Sequence, residues 1–289
     1  MMLGMEPCKF EVYNDIDGGL VNLFRTVRNR PAEFLLELDL LPLNSREEFE
    51  EWKRFETGED PVQKHLPTQL EIIDRLLLKE WAKELKAALQ QRADYRDVRW
   101  AAAFFMRTRN SFYSSGKSFA CQPFNVRSVF DQLKAMSKRL ANVIIENQSF
   151  DTLIPHYDRE DAFFYGDPPY FNSEYVYEAD FGWEQHVLLR DTLAKCKGKW
   201  LISQADFPEV RELFKGCYFL DFQRIHSMVQ KNEPGKQFPE LLIANYDLME
   251  QERSKPDQMS LDEMMGLPID TNKILKERII PCKNRTISM

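Results

Sequence analysis

Residues 162–170 read AFFYGDPPY, an apolar run over 162–166 that ends in the tip Asp167–Tyr170. An apolar run of this length indicates a buried strand, and strands of open α/β sheets present ligand sites at their carboxyl ends. Each proline ring fixes φ, removes an N–H and disfavours helix in the residue before it. The pattern therefore predicts a rigid tip with one carboxylate, bare carbonyl oxygens and one aromatic ring. Such a set suits an exocyclic amine on a base, although a simple Pro-Pro turn is the structural alternative.

Composition places the chain among globular proteins. Its 289 residues are 43% hydrophobic and 29% charged, which is ordinary for a soluble domain and leaves ample chain for a core. No apolar run approaches the roughly 18 residues that a membrane span requires. The N-terminal residues lack the charged region and long apolar core of a secretion signal. We therefore expect no membrane association.

Cysteine and histidine usage argues against both a disulfide framework and a zinc site. The five cysteines are scattered, odd in number and without a CxxC pair. The four histidines are equally dispersed, so no group has the spacing of metal ligands. We predict a reduced, cytoplasmic protein that binds no metal.

Charge is distributed unevenly along the chain. The net charge is −7, but residues 98–140 hold eight basic residues and one acidic residue, a net +7 that leaves the remainder near −14. A basic segment in an acidic protein is typical of a face that contacts phosphates, and a solvated helix flank is the alternative. The eight basic residues are Arg99, Arg107, Arg109, Lys117, Arg127, Lys134, Lys138 and Arg139.

The order of predicted elements indicates an α/β fold. Helices are predicted from Asp17, from Pro31, after a Ser45–Glu48 capping box, and over 68–88, 98–106, 126–140, 183–195 and 207–215. Strands are predicted at 10–14, 142–146, 162–166, 199–203, 217–222 and 240–245. Alternation of strands and helices in the second half suggests parallel βα units. From Met249 the sequence is polar and shows little periodicity.

This order predicts three parts of the chain. Residues 1–40 and 141–248 form one doubly wound domain, a largely helical insertion covers 41–140, and 249–289 is a polar tail.

Four segments, in sequence order, resemble the Dam-type (D12 class) DNA adenine-N6 methyltransferases. Residues 11–22 (EVYNDIDGGLVN) are similar to the second strand and following helix of the family, and residues 102–119 to its target-recognition segment. Residues 164–170 (FYGDPPY) resemble its catalytic motif, and residues 240–246 (ELLIANY) its terminal strand. The likeness covers about residues 2–247. It implies a Rossmann-like, doubly wound methyltransferase sheet with a mostly helical target-recognition insertion.

The resemblance implies catalytic roles for Asp167, Pro168, Pro169 and Tyr170. The Asp167 carboxylate and the Pro168 carbonyl would accept the two N–H groups of adenine N6 and favour a pyramidal, nucleophilic nitrogen. Tyr170 would stack on an adenine flipped out of the duplex, because the amine is otherwise buried in the base stack. Aspartate before Pro-Pro-Tyr favours adenine N6 over cytosine N4 on family grounds.

The cofactor implied is S-adenosylmethionine. Asp15, at the end of a strand, would accept from both ribose hydroxyls, although such an aspartate is equally often a helix cap. Phe150 matches a family aromatic that packs on the cofactor adenine. Ser149 stands where relatives often have an aspartate that binds the adenine amine, so it offers a weaker acceptor.

The partner implied is double-stranded DNA, with a cognate restriction endonuclease as a further partner that the family allows. The DNA-binding residues expected in the basic insertion are Arg107, Arg109, Asn110, Lys117 and Arg127. Lys117 lies in a polar loop with a glycine and is expected to contact phosphate. Arg109, beside Asn110, is expected to read bases.

One family feature is expected to be missing. Members carry a glycine-rich F-x-G-x-G loop after their first strand, and residues 1–9 align with the segment on the C-terminal side of that loop. Two alternatives to a complete enzyme therefore stay open. The chain could be a catalytically incomplete, methyltransferase-derived DNA-binding protein, from a truncated or split enzyme. It could also be an RNA adenine methyltransferase, against which the recognition segment argues.

Overall fold

The computed structural model describes residues 5–40, 45–56, 58–111, 116–120, 125–171, 181–225, 237–249 and 285–288. The strands are β1 (Phe10–Asn14), β2 (Val143–Glu146), β3 (Ala162–Gly166), β4 (Lys199–Ala205), β5 (Tyr218–Ile225), β6 (Gln237–Ala244) and β7 (Arg285–Ser288). The α-helices are α1 (Gly18–Asn29), α2 (Pro31–Leu40), α3 (Arg46–Glu56), α4 (Pro61–Leu76), α5 (Lys79–Asp94), α6 (Arg96–Arg109), α7 (Phe130–Leu140), α8 (Phe150–Tyr157), α9 (Trp183–Leu193) and α10 (Pro208–Leu213). A short 3-10 helix, Val126–Val129, precedes α7.

The chain divides into two compact units. The sheet unit comprises Met1–Asn14 and Gln148–Met289, and the helical unit comprises Asp15–Asn147. Helices α1 and α2 belong to the helical unit, together with the predicted insertion. The predicted domain boundaries stay a prediction.

Strands of the sheet unit form one mixed sheet in the order β1-β7-β3-β4-β6-β5. β1, β7, β3 and β4 are parallel neighbours, and β6 is antiparallel to both β4 and β5. The mixed α/β class predicted from the sequence is therefore confirmed.

The expectation of parallel units throughout is wrong at β6. Only residues 226–236 separate β5 from β6, whereas a parallel crossover takes about a dozen residues or more.

Strand β3 is buried on both faces of this sheet. Phe164 packs in one core cluster with Val12 and Ile202, and its neighbour Phe163 packs in the other with Leu201. Side chains alternate between the faces of a strand, so a strand covered on both sides is apolar at consecutive positions. The structure confirms the predicted buried strand at 162–166.

β7 lies in the middle of the sheet, between β1 and β3. Its backbone is parallel to both neighbours, with Phe10 in register with Arg285 and Ala162 in register with the same residue. The sequence pattern predicts no strand there, because four residues are too few to show a period.

Hydrogen bonds from backbone N–H groups to the Asp158 carboxylate join the turn before β4 to the segment before β3. The Asp158 carboxylate accepts from the backbone N–H of Lys197, at 2.9 and 3.0 Å, and from that of Gly198 at 3.0 Å. Gly198 lies so close to the backbone that a Cβ atom there would be 2.7 Å from the Ala162 carbonyl oxygen and 2.8 Å from that of Arg159. Glycine is therefore required at this position for steric reasons.

The helical unit is organised around α6. The chain from Val98 to Met106 is mostly buried, and α1, α2 and α3 each pack against this helix. Phe34 of α2 meets Phe105 edge to face, with 6.1 Å between the ring centroids. This helix carries the first part of the predicted recognition segment in its buried centre.

Two helix predictions have different outcomes, and one helix was missed. The capping box is confirmed, since Ser45 Oγ accepts from the Glu48 N–H at 3.1 Å and a Glu48 carboxylate oxygen accepts from the Ser45 N–H at 3.1 Å. The single helix predicted over 68–88 is two helices, α4 and α5, separated at Leu77–Leu78 without glycine or proline. Helix α8, from Phe150, was not predicted.

Among the helices in the described ranges, none is long and apolar enough to cross a membrane. In the same ranges, no three His, Cys, Asp or Glu side chains are grouped so that they could hold a metal ion.

Candidate active site

The predicted catalytic tip follows β3 directly, at the carboxyl end of the parallel strands. Asp167 is exposed, and Pro168, Pro169 and Tyr170 are half-buried. β3 is held between β7 on one side and β4 on the other, so the strand that carries the tip has a fixed position in the sheet. Among the described residues, side chains of β4 and β6 contact the tip.

Ser203 of β4 orients the Asp167 carboxylate. The Ser203 hydroxyl donates to Asp167 Oδ1 at 2.6 Å, and the serine is 4% exposed. Because β3 and β4 are parallel neighbours, both residues lie at the same edge of the sheet. A hydroxyl bound to one carboxylate oxygen fixes the side chain and leaves the second oxygen as an acceptor.

Gln204, the next residue, binds the backbone on either side of Tyr170. Its Oε1 accepts from the Phe171 backbone N–H at 3.1 Å, and its Nε2 donates to the Pro169 carbonyl at 3.3 Å. The side chain is 1% exposed, so these bonds are shielded from water. Gln204 therefore binds the carbonyl of Pro169. The Pro168 carbonyl, which is the predicted acceptor for the amine, does not take part in these two bonds.

Glu240 of β6 supports the tip from the other side. The Tyr170 hydroxyl donates to Glu240 Oε2 at 3.4 Å, and Glu240 is 5% exposed. Glu240 is in register with Ala205, the residue that follows Gln204 on β4. The contact restricts rotation of the Tyr170 ring.

Two carboxylates at this edge have different surroundings. Asp206, directly after β4, accepts two hydrogen bonds from the Arg211 guanidinium, at 2.7 and 2.9 Å. These bonds hold the pKa of Asp206 below its usual value. Asp167 instead accepts from a neutral hydroxyl. Asp167 is therefore the carboxylate better suited to accept a further hydrogen bond from a ligand amine.

Two of the predicted cofactor residues, Ser149 and Phe150, begin helix α8. They are positioned by the preceding residue, since Asn14 and Gln148 exchange two hydrogen bonds of 2.9 Å between the end of β1 and the start of α8. Phe150 is partly buried against the core, and its ring centroid lies 5.8 Å from that of Phe181. The Ser149 hydroxyl donates to Thr152 Oγ1 at 3.2 Å.

Asp15, the third predicted cofactor residue, belongs to the helical unit. Its carboxylate accepts from the Asp17 backbone N–H at 2.9 Å. Asn147 donates to the carbonyl oxygens of Asp15 and Ile16, at 2.8 and 3.1 Å. The helix cap of α1 is Asp17, whose side chain accepts from Gly19 and Leu20. Asp15 is thus not the cap of α1, but its carboxylate binds the backbone of the turn before that helix. Its contact with the cofactor ribose stays a prediction.

A group of aromatic side chains follows the tip along the chain. The Phe171 ring lies edge to face with Trp183, His186 and Phe207, at centroid distances of 5.3, 6.0 and 5.4 Å. His186 is 2% exposed. These contacts hold Phe171, and through it the end of the tip, against helices α9 and α10.

One residue of the predicted basic face is internal. Arg99 is 4% exposed, its guanidinium forms an ion pair with Asp60, and it also donates to the Ala93 carbonyl at 3.0 Å. Its inclusion in a phosphate-contacting face was wrong. Asp60 caps α4 through Val62 and Gln63, so this pair joins two helices.

Arg107 and Asn110 are involved in the structure of the recognition loop. The Arg107 guanidinium lies against Gly116, where a Cβ atom would be 3.0 Å from its central carbon, and φ at Gly116 is +70°. Asn110 is 1% exposed and its amide donates to the Met106 carbonyl at 2.8 Å. Their predicted DNA contacts stay predictions, and Asn110 would first have to become accessible. Residues 112–115 and 121–124 of this segment lie outside the described residues.

The remaining predicted DNA-binding residues are at the surface. Arg109 and Lys117 are exposed. The Arg127 side chain is 71% exposed and forms a double hydrogen bond with Asp39, at 2.6 and 3.1 Å. Hydrogen bonds from Arg127 hold the pKa of Asp39 below its usual value.

Sequence reasoning missed the three residues that support the tip, Ser203, Gln204 and Glu240. A signal for two of them was present, because two polar residues end the apolar run of β4 just as Asp167 ends that of β3. Buried polar side chains at the end of a strand require partners, and here the partners are in the tip.

Comparison with known proteins identifies the family of the chain. A family model described as D12 class N6 adenine-specific DNA methyltransferase matches residues 7–232, well over half of the chain. A search of curated proteins finds no significant match. The chain belongs to the family of D12 class N6 adenine-specific DNA methyltransferases.

Proposed function

We propose that the protein transfers a methyl group from S-adenosylmethionine to N6 of an adenine flipped out of duplex DNA. The observation that carries the proposal is the tip Asp167–Tyr170, held at the end of β3 by Ser203 and Gln204. The parallel strands around β3 fit a Rossmann-like methyltransferase sheet, in which ligands bind at the carboxyl edge.

The tip provides what an amine nucleophile requires. The adenine N6 lone pair is delocalised into the ring, so the amine is a poor nucleophile until acceptors bind its hydrogens. In the proposal, Asp167 and the Pro168 carbonyl are these acceptors, and Tyr170 stacks on the base. As the bond between N6 and the methyl carbon forms, the bond between that carbon and the sulfonium sulfur would break, leaving a neutral thioether, and the amine gives up one proton. Gln204 and Glu240 keep the acceptors and the ring in position.

The residues proposed for the cofactor fit an adenosyl group by their chemistry. Phe150 offers a half-buried ring for the adenine, Ser149 a hydroxyl for its amine, and Asp15 a carboxylate for the ribose. When bound, S-adenosylmethionine supplies an electrophilic methyl group on a sulfonium centre.

A methyl-transfer assay tests the proposal. The protein is incubated with duplex DNA and S-adenosylmethionine labelled in the methyl group, and the digested DNA is analysed for the modified nucleoside. We expect label in N6-methyladenine and none in RNA of the same sequence. Calorimetric titration with S-adenosylmethionine separates the enzyme from a DNA-binding protein that no longer handles cofactor. DNA binding without cofactor binding or methylation would reject the proposal in favour of that alternative.

We further propose that Arg109, Lys117 and Arg127 contact the DNA. Replacing Lys117 by alanine should lower the slope of log affinity against log salt by about one unit and weaken all sequences alike, because one phosphate contact is lost. Replacing Arg109 should cost about 1–3 kcal/mol at one base position and relax specificity there. Salt-titrated binding of labelled duplexes measures both.

The ion pair between Arg127 and Asp39 allows a second test with the same binding assay. Asp39→Ala releases the Arg127 guanidinium and should strengthen DNA binding, whereas Arg127→Ala should weaken it. Lys64→Ala, at an exposed lysine of α4 outside the basic segment, is the control and should leave the slope unchanged. If the variants at Arg109, Lys117, Arg127 and Asp39 all bind DNA as the parent does, the helical unit does not present its basic segment to DNA.

A further inference from the structure

The hairpin of α4 and α5 carries large apolar side chains that are exposed to solvent. Ile72 is 47% exposed, Leu76 76%, Leu78 72%, Trp81 69% and Leu85 43%. Single apolar residues on a surface are normal, but a contiguous group indicates an interaction site. These five residues indicate such a site if they are contiguous on the surface.

Helical geometry puts all five on one side of the hairpin. The two helices pack against each other and are joined only by Leu77–Leu78, so they run antiparallel. Ile73 is 6% exposed and Ala82 5%, which marks the sides that face the hairpin interior. At about 100° per residue, Ile72 and Leu76 lie to one side of Ile73. In the antiparallel partner, Leu78, Trp81 and Leu85 lie to the same side of Ala82.

These five residues, here called the hairpin face, form an uncharged surface. Charged residues of the same turns lie outside it. Asp74, Lys83 and Lys86 project to the opposite side by the same geometry, and the exposed Arg75, Glu80 and Glu84 point away from the hairpin interior, at the outer margin of the face. Lys86 and Asp74 form an ion pair between the two helices there. The hairpin is thus amphipathic, with a charged side and an apolar side that both face solvent.

We propose that the hairpin face is a self-association surface, which packs against the hairpin face of a second copy about a two-fold axis. A two-fold interface brings each patch against itself, so charges on it would meet like charges. The hairpin face has none. DNA and anionic lipid would instead require basic residues on the face itself.

The size of the face suits this role. Five large apolar side chains that are about half exposed offer on the order of 500 Å² of apolar surface, judged from the 150–250 Å² that aromatic residues bury. A standard interface buries about 800 Å² per partner, with an apolar core and a polar rim. The hairpin face supplies the core of such an interface, and the polar residues around it would supply the rim.

Sedimentation equilibrium of the full chain, from low to high micromolar concentration, tests the proposal. We expect a dimer at the upper end of this range. Trp81→Glu puts two like charges into the core of the interface and should raise the dimer dissociation constant about tenfold or more. Leu78→Glu is a second variant at an equally exposed position, so the test does not depend on one substitution. Circular dichroism should show unchanged helix content for both.

Lys83→Glu is the matched control. It introduces the same residue on the same helix, but on the charged side, and should leave the dissociation constant within about twofold of the parent. A parent that is monomeric throughout the range, or a Trp81→Glu variant that dimerises as the parent does, would overturn the proposal. A monomeric parent that loses DNA binding on Trp81→Glu would assign the face to nucleic acid instead.

Discussion

Alanine at position 167 should abolish methyl transfer while the protein stays folded and its affinity for S-adenosylmethionine falls by less than about tenfold, roughly 1.4 kcal/mol. The Asp167 carboxylate is exposed at the tip and contributes one side-chain hydrogen bond to Ser203, so its loss removes an acceptor for the amine without opening the core. The residues proposed for the cofactor lie elsewhere in the sequence, at Asp15 and at the start of α8. Single-turnover methylation and calorimetry measure the two quantities.

A variant of the supporting serine separates positioning from catalysis. Ser203→Ala keeps the carboxylate but removes the hydroxyl that orients it, and should lower kcat on the order of tenfold, the value of one hydrogen bond to a charged group. Ser203→Thr keeps a hydroxyl and should recover most of that loss.

The prediction for Asp167→Ala has a clear limit. Retention of more than about a tenth of the parental rate by Asp167→Ala would show that the proposed catalytic role is wrong.

Gly198→Ala is expected to have the largest effect on stability. The added Cβ atom would lie 2.7 Å and 2.8 Å from two carbonyl oxygens of the backbone, which cannot rotate away as a side chain could. The overlap should reduce the free energy of unfolding by about 2–3 kcal/mol. It would also disturb the N–H group that donates to Asp158 and the carbonyl that accepts from Asn245 at 3.0 Å. Urea denaturation followed by circular dichroism measures the change.

Gly182→Ala is the matched control for this prediction. Gly182 directly precedes helix α9, as Gly198 precedes β4. Apart from its two chain neighbours, no atom of the described residues lies within 4 Å of the position that an added Cβ atom would take. Its φ of −76° suits any residue. Its replacement should cost less than about 1 kcal/mol. Equal stability of the two variants would contradict the steric argument for Gly198.

The catalytic strand could be predicted from sequence because its signal is local. Buried on both faces, β3 is apolar at every position, and the prolines after it mark its end. The capping box at Ser45 is local in the same way, since it depends on residues three apart. Such elements carry their whole explanation within a few neighbouring residues.

The support of the tip could not be predicted, because it depends on which strands are neighbours. Gln204 contacts Pro169 and Phe171 only because β4 lies beside β3, and Glu240 reaches Tyr170 only because β6 follows β4 in the sheet. The break between α4 and α5 is a related case. Neither Leu77 nor Leu78 disfavours helix, so the break comes from tertiary packing.

The central position of β7 has a consequence for how the protein is made. β1 is synthesised long before its neighbour in the sheet, which includes Arg285 and emerges after every other described element. Until then β1 and β3 both present open edges of an apolar sheet, which invite pairing with other nascent chains. The sheet unit therefore cannot complete its folding before β7 has been synthesised, and a chaperone that shields those edges until then would increase the yield of native protein.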